Sequence, residues 1–119
     1  MQHSQDLPPG FFEEVWAPLR NELQRDYVGV WMIVGRVRRA DPALSDDEVR
    51  RATLAVIYQA LVRGEAHTGQ LAPLGRFAPD FQDADTAVAE VAQRWTNPAD
   101  PPDIGETAWF DAGPAPPNR

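Results

Sequence analysis

The sequence contains no cysteine and no lysine, and it has only two histidines and two serines among its 119 residues. Without cysteine the chain can form no disulfide, no thiolate zinc site and no cysteine nucleophile. Ser45 precedes a helical pattern and does not stand in a nucleophile elbow. His67 has no second histidine at the spacing of a metal site. These absences argue against an enzyme and predict no catalytic residue, no metal and no cofactor.

Long hydrophobic runs are also missing. The longest apolar run, Val28 to Val34, is interrupted by Gly29, and it is far shorter than the roughly 20 residues that a membrane span needs. Residues 1–10 are polar and contain prolines, without the basic and apolar regions of a signal peptide. We therefore expect a cytoplasmic protein that does not bind membranes.

The charge of the chain is strongly acidic. Arginine supplies all 11 basic side chains against 18 acidic ones, which gives a net charge of -7. Nucleic-acid-binding domains normally carry the opposite balance, so the expected partner is another protein, of basic charge, because opposite potentials speed encounter. The candidate contact residues are acids of two loops and one aromatic residue near the C-terminus: Asp80, Asp83, Asp85, Asp100, Asp103 and Trp109.

One cluster of basic residues runs against this balance. Five of the eleven arginines flank the turn at residues 41–45, namely Arg36, Arg38, Arg39, Arg50 and Arg51. If two helices meet at this turn, the arginines form a patch that contacts an anion or nucleic acid. Alternatively, they form a solvated surface in which Asp46, Asp47 and other nearby acids pair with them. The second interpretation is favoured, because the nearby acids nearly neutralise the patch.

Length and composition indicate one domain. At 119 residues and 43% apolar composition, the chain has material for a single core. We expect a flexible tail over residues 1–9, a globular domain over residues 10–112 and a disordered, proline-rich tail over residues 113–119.

Apolar spacing predicts four helices. Phe12, Val15, Trp16, Leu19 and Leu23 form a helical stripe within residues 11–26, in which Pro18 predicts either a kink or the start of a new helix. Residues 27–39 fit either a strand or a helix, and their arginine-rich end favours a helix. A capping box at residues 45–48 begins a third helix that ends at residue 64. A fourth helix is expected over residues 83–96.

The remaining segments have strand composition. Residues 106–112 could pair with the segment after Gly64 in a small sheet. The resulting fold class is mainly α (α+β): four helices with a two- to three-stranded antiparallel sheet, in a winged-helix-like outline. If the strand at Trp109 and Phe110 lies at an edge, it could also pair across a two-fold axis in a homodimer.

The C-terminal third carries a family resemblance. A helix that ends at Trp95, a proline-bearing loop, the segment Asp103-Ile104-Gly105-Glu106 and the pair Trp109-Phe110 resemble small, uncharacterised bacterial proteins that end in a similar GDIxWF pattern. Some proteins of that kind are immunity partners of secreted polymorphic toxins. The resemblance implies a binding protein and supplies no catalytic residues.

These observations favour a non-enzymatic protein-binding module, of an immunity or accessory type, for a basic partner. The first alternative is a winged-helix-like DNA-binding regulator that uses the capped helix or the arginine cluster. The second is a small ligand-binding domain or enzyme whose site is assembled from scattered residues, for which the candidates are Tyr58, His67, Arg76 and Trp95.

Overall fold

The structure is a computed structural model that describes residues 7–23, 28–71, 77–79, 83–100 and 109–111. Within these ranges the helices are α1 (Phe11–Leu23), α2 (Val30–Ala40), α3 (Asp46–Val62) and α4 (Ala84–Arg94). The strands are β1 (Val28–Gly29), β2 (His67–Leu71), β3 (Phe77–Pro79) and β4 (Trp109–Asp111). The prediction of a mainly helical protein is confirmed. Across these ranges, no helix has the length and apolar character needed to cross a membrane.

Helix α3 lies at the centre of the helical layer, since α1, α2 and α4 all pack against it. Its start is the predicted capping box: the Glu48 amide donates to Ser45 Oγ at 3.1 Å, and the Ser45 amide donates to Glu48 Oε1 at 2.8 Å. Beyond its end, Gly64 has a φ of +75°, a conformation that favours glycine. Its buried side chains are Val49, Thr53, Leu54, Ala55, Val56, Ile57 and Ala60.

Helix α1 runs without interruption through Pro18, so no new helix begins there. The predicted stripe is confirmed, because Phe12, Val15, Trp16, Leu19 and Leu23 are all buried. Trp16 is among the largest fully buried side chains of the core, together with Trp95, Ile33 and Ile57.

The ambiguous segment contains both kinds of structure. Val28 and Gly29 form the short strand β1, and α2 begins at Val30. Gly29, the N-cap of α2, has an extended backbone with φ -99° and ψ 168°, so the chain changes from strand to helix directly after it. The helical prediction is therefore confirmed from residue 30 onward and wrong at residues 28 and 29.

The four strands pair antiparallel in the order β1-β4-β2-β3. Trp109 pairs with Gly29 on one side and with Gly69 on the other, and Phe110 pairs in the same way with Val28 and Thr68. Because β4 has a partner strand on both sides, the expectation of an edge strand at Trp109 and Phe110 is wrong. A homodimer stays a prediction, but it would have to form through another surface.

Candidate functional site

The turn between α2 and α3 brings part of the predicted arginine cluster together with acids. Arg38 Nη2 lies 3.1 Å from Asp46 Oδ1, and Arg51 Nε lies 3.6 Å from Asp47 Oδ2. All four of these side chains are substantially exposed to solvent, where such ion pairs contribute little to stability. Around these two arginines the turn is therefore an ion-paired surface, as in the second interpretation of the sequence.

Arg50 is directed away from this turn. Its Nε donates to the Trp95 carbonyl at 2.8 Å and its Nη2 donates to the Ala92 carbonyl at 3.0 Å. These carbonyls belong to the C-terminal end of α4, where the Trp95 amide also donates to the Ala92 carbonyl at 3.2 Å and the last carbonyl groups lack donors from a following helical turn. Arg50 thus caps α4 from α3, a role that the sequence reasoning missed.

The other two arginines of the cluster lie on a different surface. Arg36 and Arg39 line a groove between α1 and α2. We call it the α1–α2 groove; its remaining lining residues are Pro18, Leu19, Glu22, Met32 and Gly35. The five arginines therefore do not form one basic face: two are paired at the turn, one caps α4, and two line this groove.

The predicted acidic contact residues are placed in several ways. Asp83 is the N-cap of α4, and its Oδ1 accepts from the Thr86 amide at 2.7 Å. This backbone hydrogen bond lowers the pKa of Asp83 below its ordinary value. Asp85 and Asp100 are exposed. Asp80 and Asp103 lie outside the described residues. Trp109 lies in β4, where its backbone pairs with that of Gly29.

A second concavity lies where the start of α1 meets the α2–α3 turn and the first turns of α3. Its volume is about 200 Å³, and we call it the α1–α3 cleft. The apolar lining residues are Leu7, Pro8, Phe11, Leu44 and Ala52, and the charged ones are Asp41, Glu48 and Arg51. The sequence reasoning did not identify this cleft, because it brings together residues from segments that are distant along the chain.

The two carboxylates of the cleft are held by short-range hydrogen bonds. Asp41 Oδ1 accepts from the Ala43 amide at 3.1 Å, and Glu48 Oε1 accepts from the Ser45 amide at 2.8 Å. Because a carboxylate has two oxygens and about four acceptor positions, each retains acceptor capacity. The Ser45 backbone amide lowers the pKa of Glu48, so this side chain stays negative at neutral pH.

A second group of charged residues links α1 to the residues that follow α3. Arg20 Nε donates to Glu65 Oε1 at 2.8 Å, and its Nη2 lies 3.2 Å from Glu13 Oε2. The hydrogen bond with Glu13 is the main cause of the raised Arg20 pKa, followed by that with Glu65. Arg63 lies 4.4 Å from the centroid of the Phe12 ring and 3.6 Å from Glu13. The contacts of this group join α1 to the residues at and after the end of α3.

Of the four scattered pocket residues, the structure describes the side chains of Tyr58 and Trp95. Trp95 is fully buried, and its Nε1 donates to the Pro98 carbonyl at 3.3 Å. Tyr58 is half-buried on α3. Arg76 and the side chain of His67 fall outside the described part. In that part, no three His, Cys, Asp or Glu side chains are grouped as metal ligands would be.

Comparisons with known protein families, with curated proteins and with solved structures gave no match to this chain.

Proposed function

We propose that the chain is a non-enzymatic protein-binding module that receives a basic segment of its partner in the α1–α3 cleft. The observation that carries this proposal is the composition of the cleft. Apolar walls at Phe11, Leu44 and Ala52 stand beside the carboxylates of Asp41 and Glu48. Arg51, the arginine among the described residues that line the cleft, lies against Asp47. The cleft therefore keeps a negative potential beside its apolar walls.

A cleft of this kind suits an apolar side chain with a cationic neighbour. Its volume of about 200 Å³ is enough for one such anchor and too small for a complete drug-sized ligand. Burial of an aliphatic anchor contributes about 1.5–3 kcal/mol, and each exposed ion pair adds about 0.2–1 kcal/mol. A short peptide would therefore bind weakly, and a folded partner would add contacts outside the cleft.

The immunity-type form of this proposal rests on the resemblance of the C-terminal third. In that form the partner is a basic, secreted toxin, and the module acts in the cytoplasm of the bacterium that makes it. Co-purification with the product of an adjacent toxin-like gene would test it. Complex formation should depend on Asp41 and Glu48.

The winged-helix-like outline is kept as a proposed description of the fold. The DNA-binding alternative is disfavoured by charge. Asp46, Asp47 and Glu48 occupy the first turn of α3, and a recognition helix places its N-terminal residues closest to the bases and phosphates. Three carboxylates there would repel the DNA backbone.

The test uses a fluorescein-labelled peptide in which one leucine is flanked by two arginines, with a glutamine-flanked peptide as the ligand control. We expect the arginine peptide to bind and the glutamine peptide to bind about tenfold more weakly. The double variant Asp41→Asn/Glu48→Gln should weaken binding of the arginine peptide by a similar factor. Both replacements keep an oxygen that accepts the local amide hydrogen bond, so the backbone at the turn is preserved.

The matched control is Asp85→Asn/Asp100→Asn, which removes the same charge from two of the acids predicted from the sequence. It should change the affinity by less than about twofold. If this control weakens binding as much as the cleft variant does, overall charge explains the binding. If it weakens binding more, the acidic loops are the site. Either result refutes the assignment to the cleft.

A further inference from the structure

The α1–α2 groove differs in charge from the α1–α3 cleft. Its volume is about 290 Å³, and two guanidinium groups, Arg36 and Arg39, line its α2 side. Leu19 and Met32 provide apolar surface from the two helices. The groove is therefore a cationic and apolar surface on a chain whose net charge is -7.

Arg36 and Arg39 differ from the other arginines that the sequence grouped with them. Arg38, Arg50 and Arg51 each contact a carboxylate or backbone carbonyls. Arg36 and Arg39 have no ion pair and no side-chain hydrogen bond in the described part of the chain. Their donors are thus free to bind a ligand.

The spacing of these two arginines places them on one face of α2, because residues three apart are neighbours on a helix. Gly35, which directly precedes Arg36, also lines the groove, and an added Cβ at this position would meet no atom within 4 Å. The surface beside the two guanidinium groups is consequently open, and an extended chain can approach α2 closely at this position.

The chemistry of the groove favours an acidic peptide. Each guanidinium group offers a planar fork that binds a carboxylate through two parallel hydrogen bonds. The apolar wall at Leu19 and Met32 suits an apolar side chain between two acids. Glu22 on the α1 side of the groove would direct the carboxylates of such a peptide towards α2.

Nucleic acid fits the same groove less well. A DNA or RNA strand needs a continuous cationic track for its phosphates, whereas this groove offers two arginines beside Glu22. The net charge of -7 would also repel a polyanion as it approaches. A peptide with a few carboxylates and an apolar residue avoids most of this repulsion.

We propose that the α1–α2 groove binds an acidic segment of a partner protein through Arg36 and Arg39. This surface is separate from the α1–α3 cleft in both lining residues and charge. The inference does not depend on the function proposed for the cleft. If both hold, the module has two docking surfaces of opposite charge and can contact two segments of a partner, or two partners.

The experiment measures binding of a fluorescein-labelled peptide with one leucine between two pairs of glutamates to the full chain at low salt. The glutamates are replaced by glutamines in the control peptide. The test variant is Arg36→Gln/Arg39→Gln, and the matched control is Arg38→Gln/Arg63→Gln, which removes the same charge from arginines already paired with acids. Far-UV circular dichroism verifies that both variants are folded.

We expect the glutamate peptide to bind, the test variant to weaken it about tenfold and the control variant to change it less than about twofold. Backbone amide shifts of Met32, Gly35 and Arg39 in the unmodified chain should move during the same titration. The proposal is overturned if the peptide does not bind at roughly millimolar concentration. It is also overturned if both double variants weaken binding equally, or if only a single-stranded oligonucleotide binds in place of the peptide.

The two proposals can fail separately. The cleft is tested with an arginine peptide and the Asp41 and Glu48 variant, whereas the groove is tested with a glutamate peptide and the Arg36 and Arg39 variant. Each peptide also serves as a negative ligand for the other surface.

Discussion

Removal of the Arg50 guanidinium group should destabilise the protein far more than the same change at Arg51. The two arginines are adjacent in sequence, yet about 100° apart around α3. Arg50 donates two hydrogen bonds to carbonyls at the end of α4 and is partly buried. Arg51 makes one exposed ion pair of 3.6 Å within its own helix.

The size of the difference follows from these contacts. A hydrogen bond to a charged group contributes about 1.5–3 kcal/mol, and a cation at a helix C-terminus contributes about 0.3–1 kcal/mol. Since water can replace part of the lost bonding, we expect Arg50→Met to lower the free energy of unfolding by about 2 kcal/mol. An exposed ion pair within one helix contributes about 0.3–0.5 kcal/mol, so Arg51→Met should cost no more than that.

Urea unfolding followed by far-UV circular dichroism measures both changes. With a slope of about 2 kcal/mol per molar urea, Arg50→Met should lower the midpoint by about 1 M and Arg51→Met by about 0.2 M. Arg50→Lys should fall between them, because lysine keeps the charge but loses the planar fork. Equal shifts for the two methionine variants would refute the capping role of Arg50.

Four further substitutions test local features. Gly64→Ala should destabilise the fold by about 1 kcal/mol, because the φ of +75° at this position strains alanine. Gly35→Ala should stabilise the fold by up to about 1 kcal/mol, because position 35 is helical and has open space for a Cβ. Thermal unfolding measures both changes. Gly29→Ala should displace the Trp31 indole, which occupies the space of the added Cβ, and shift the tryptophan fluorescence. The lowered pKa of Glu48 means that its stabilising effect is complete above its ordinary pKa of 4.5 and is lost as the pH falls through the folded-state value. Glu48→Gln should therefore make the urea midpoint less dependent on pH below the ordinary pKa of 4.5. An unchanged pH dependence of the midpoint would contradict this stabilising role of the Glu48 carboxylate.

The features that the sequence predicted well are local ones. The capping box at Ser45 and Glu48 depends on residues within one helical turn, so its pattern is visible in the sequence. The stripe that begins at Phe12 is equally local, because a helix repeats its buried face every three or four residues.

The features that the sequence did not predict depend on distant segments. Nothing in the order Val49-Arg50-Arg51 shows that the first arginine meets α4 and the second meets Asp47. The pairing of β4 on both sides depends on residues 28–29 and 67–69, which its own composition does not reveal. The α1–α3 cleft was missed for the same reason, since Phe11 and Leu44 come together only when α1 packs against the α2–α3 turn.

The central position of β4 has a consequence for the order in which the protein can fold during synthesis. Strands β1 and β2 leave the ribosome well before residues 109–111, yet neither contacts the other in the sheet except through β4. Pairing between such distant segments is slow because a long loop must close first. The helices can associate early, but β1 and β2 cannot be joined in one sheet until β4 has been synthesised. A chain that stops before Trp109 would leave one edge of β1 and one edge of β2 unpaired, and unpaired strand edges promote aggregation.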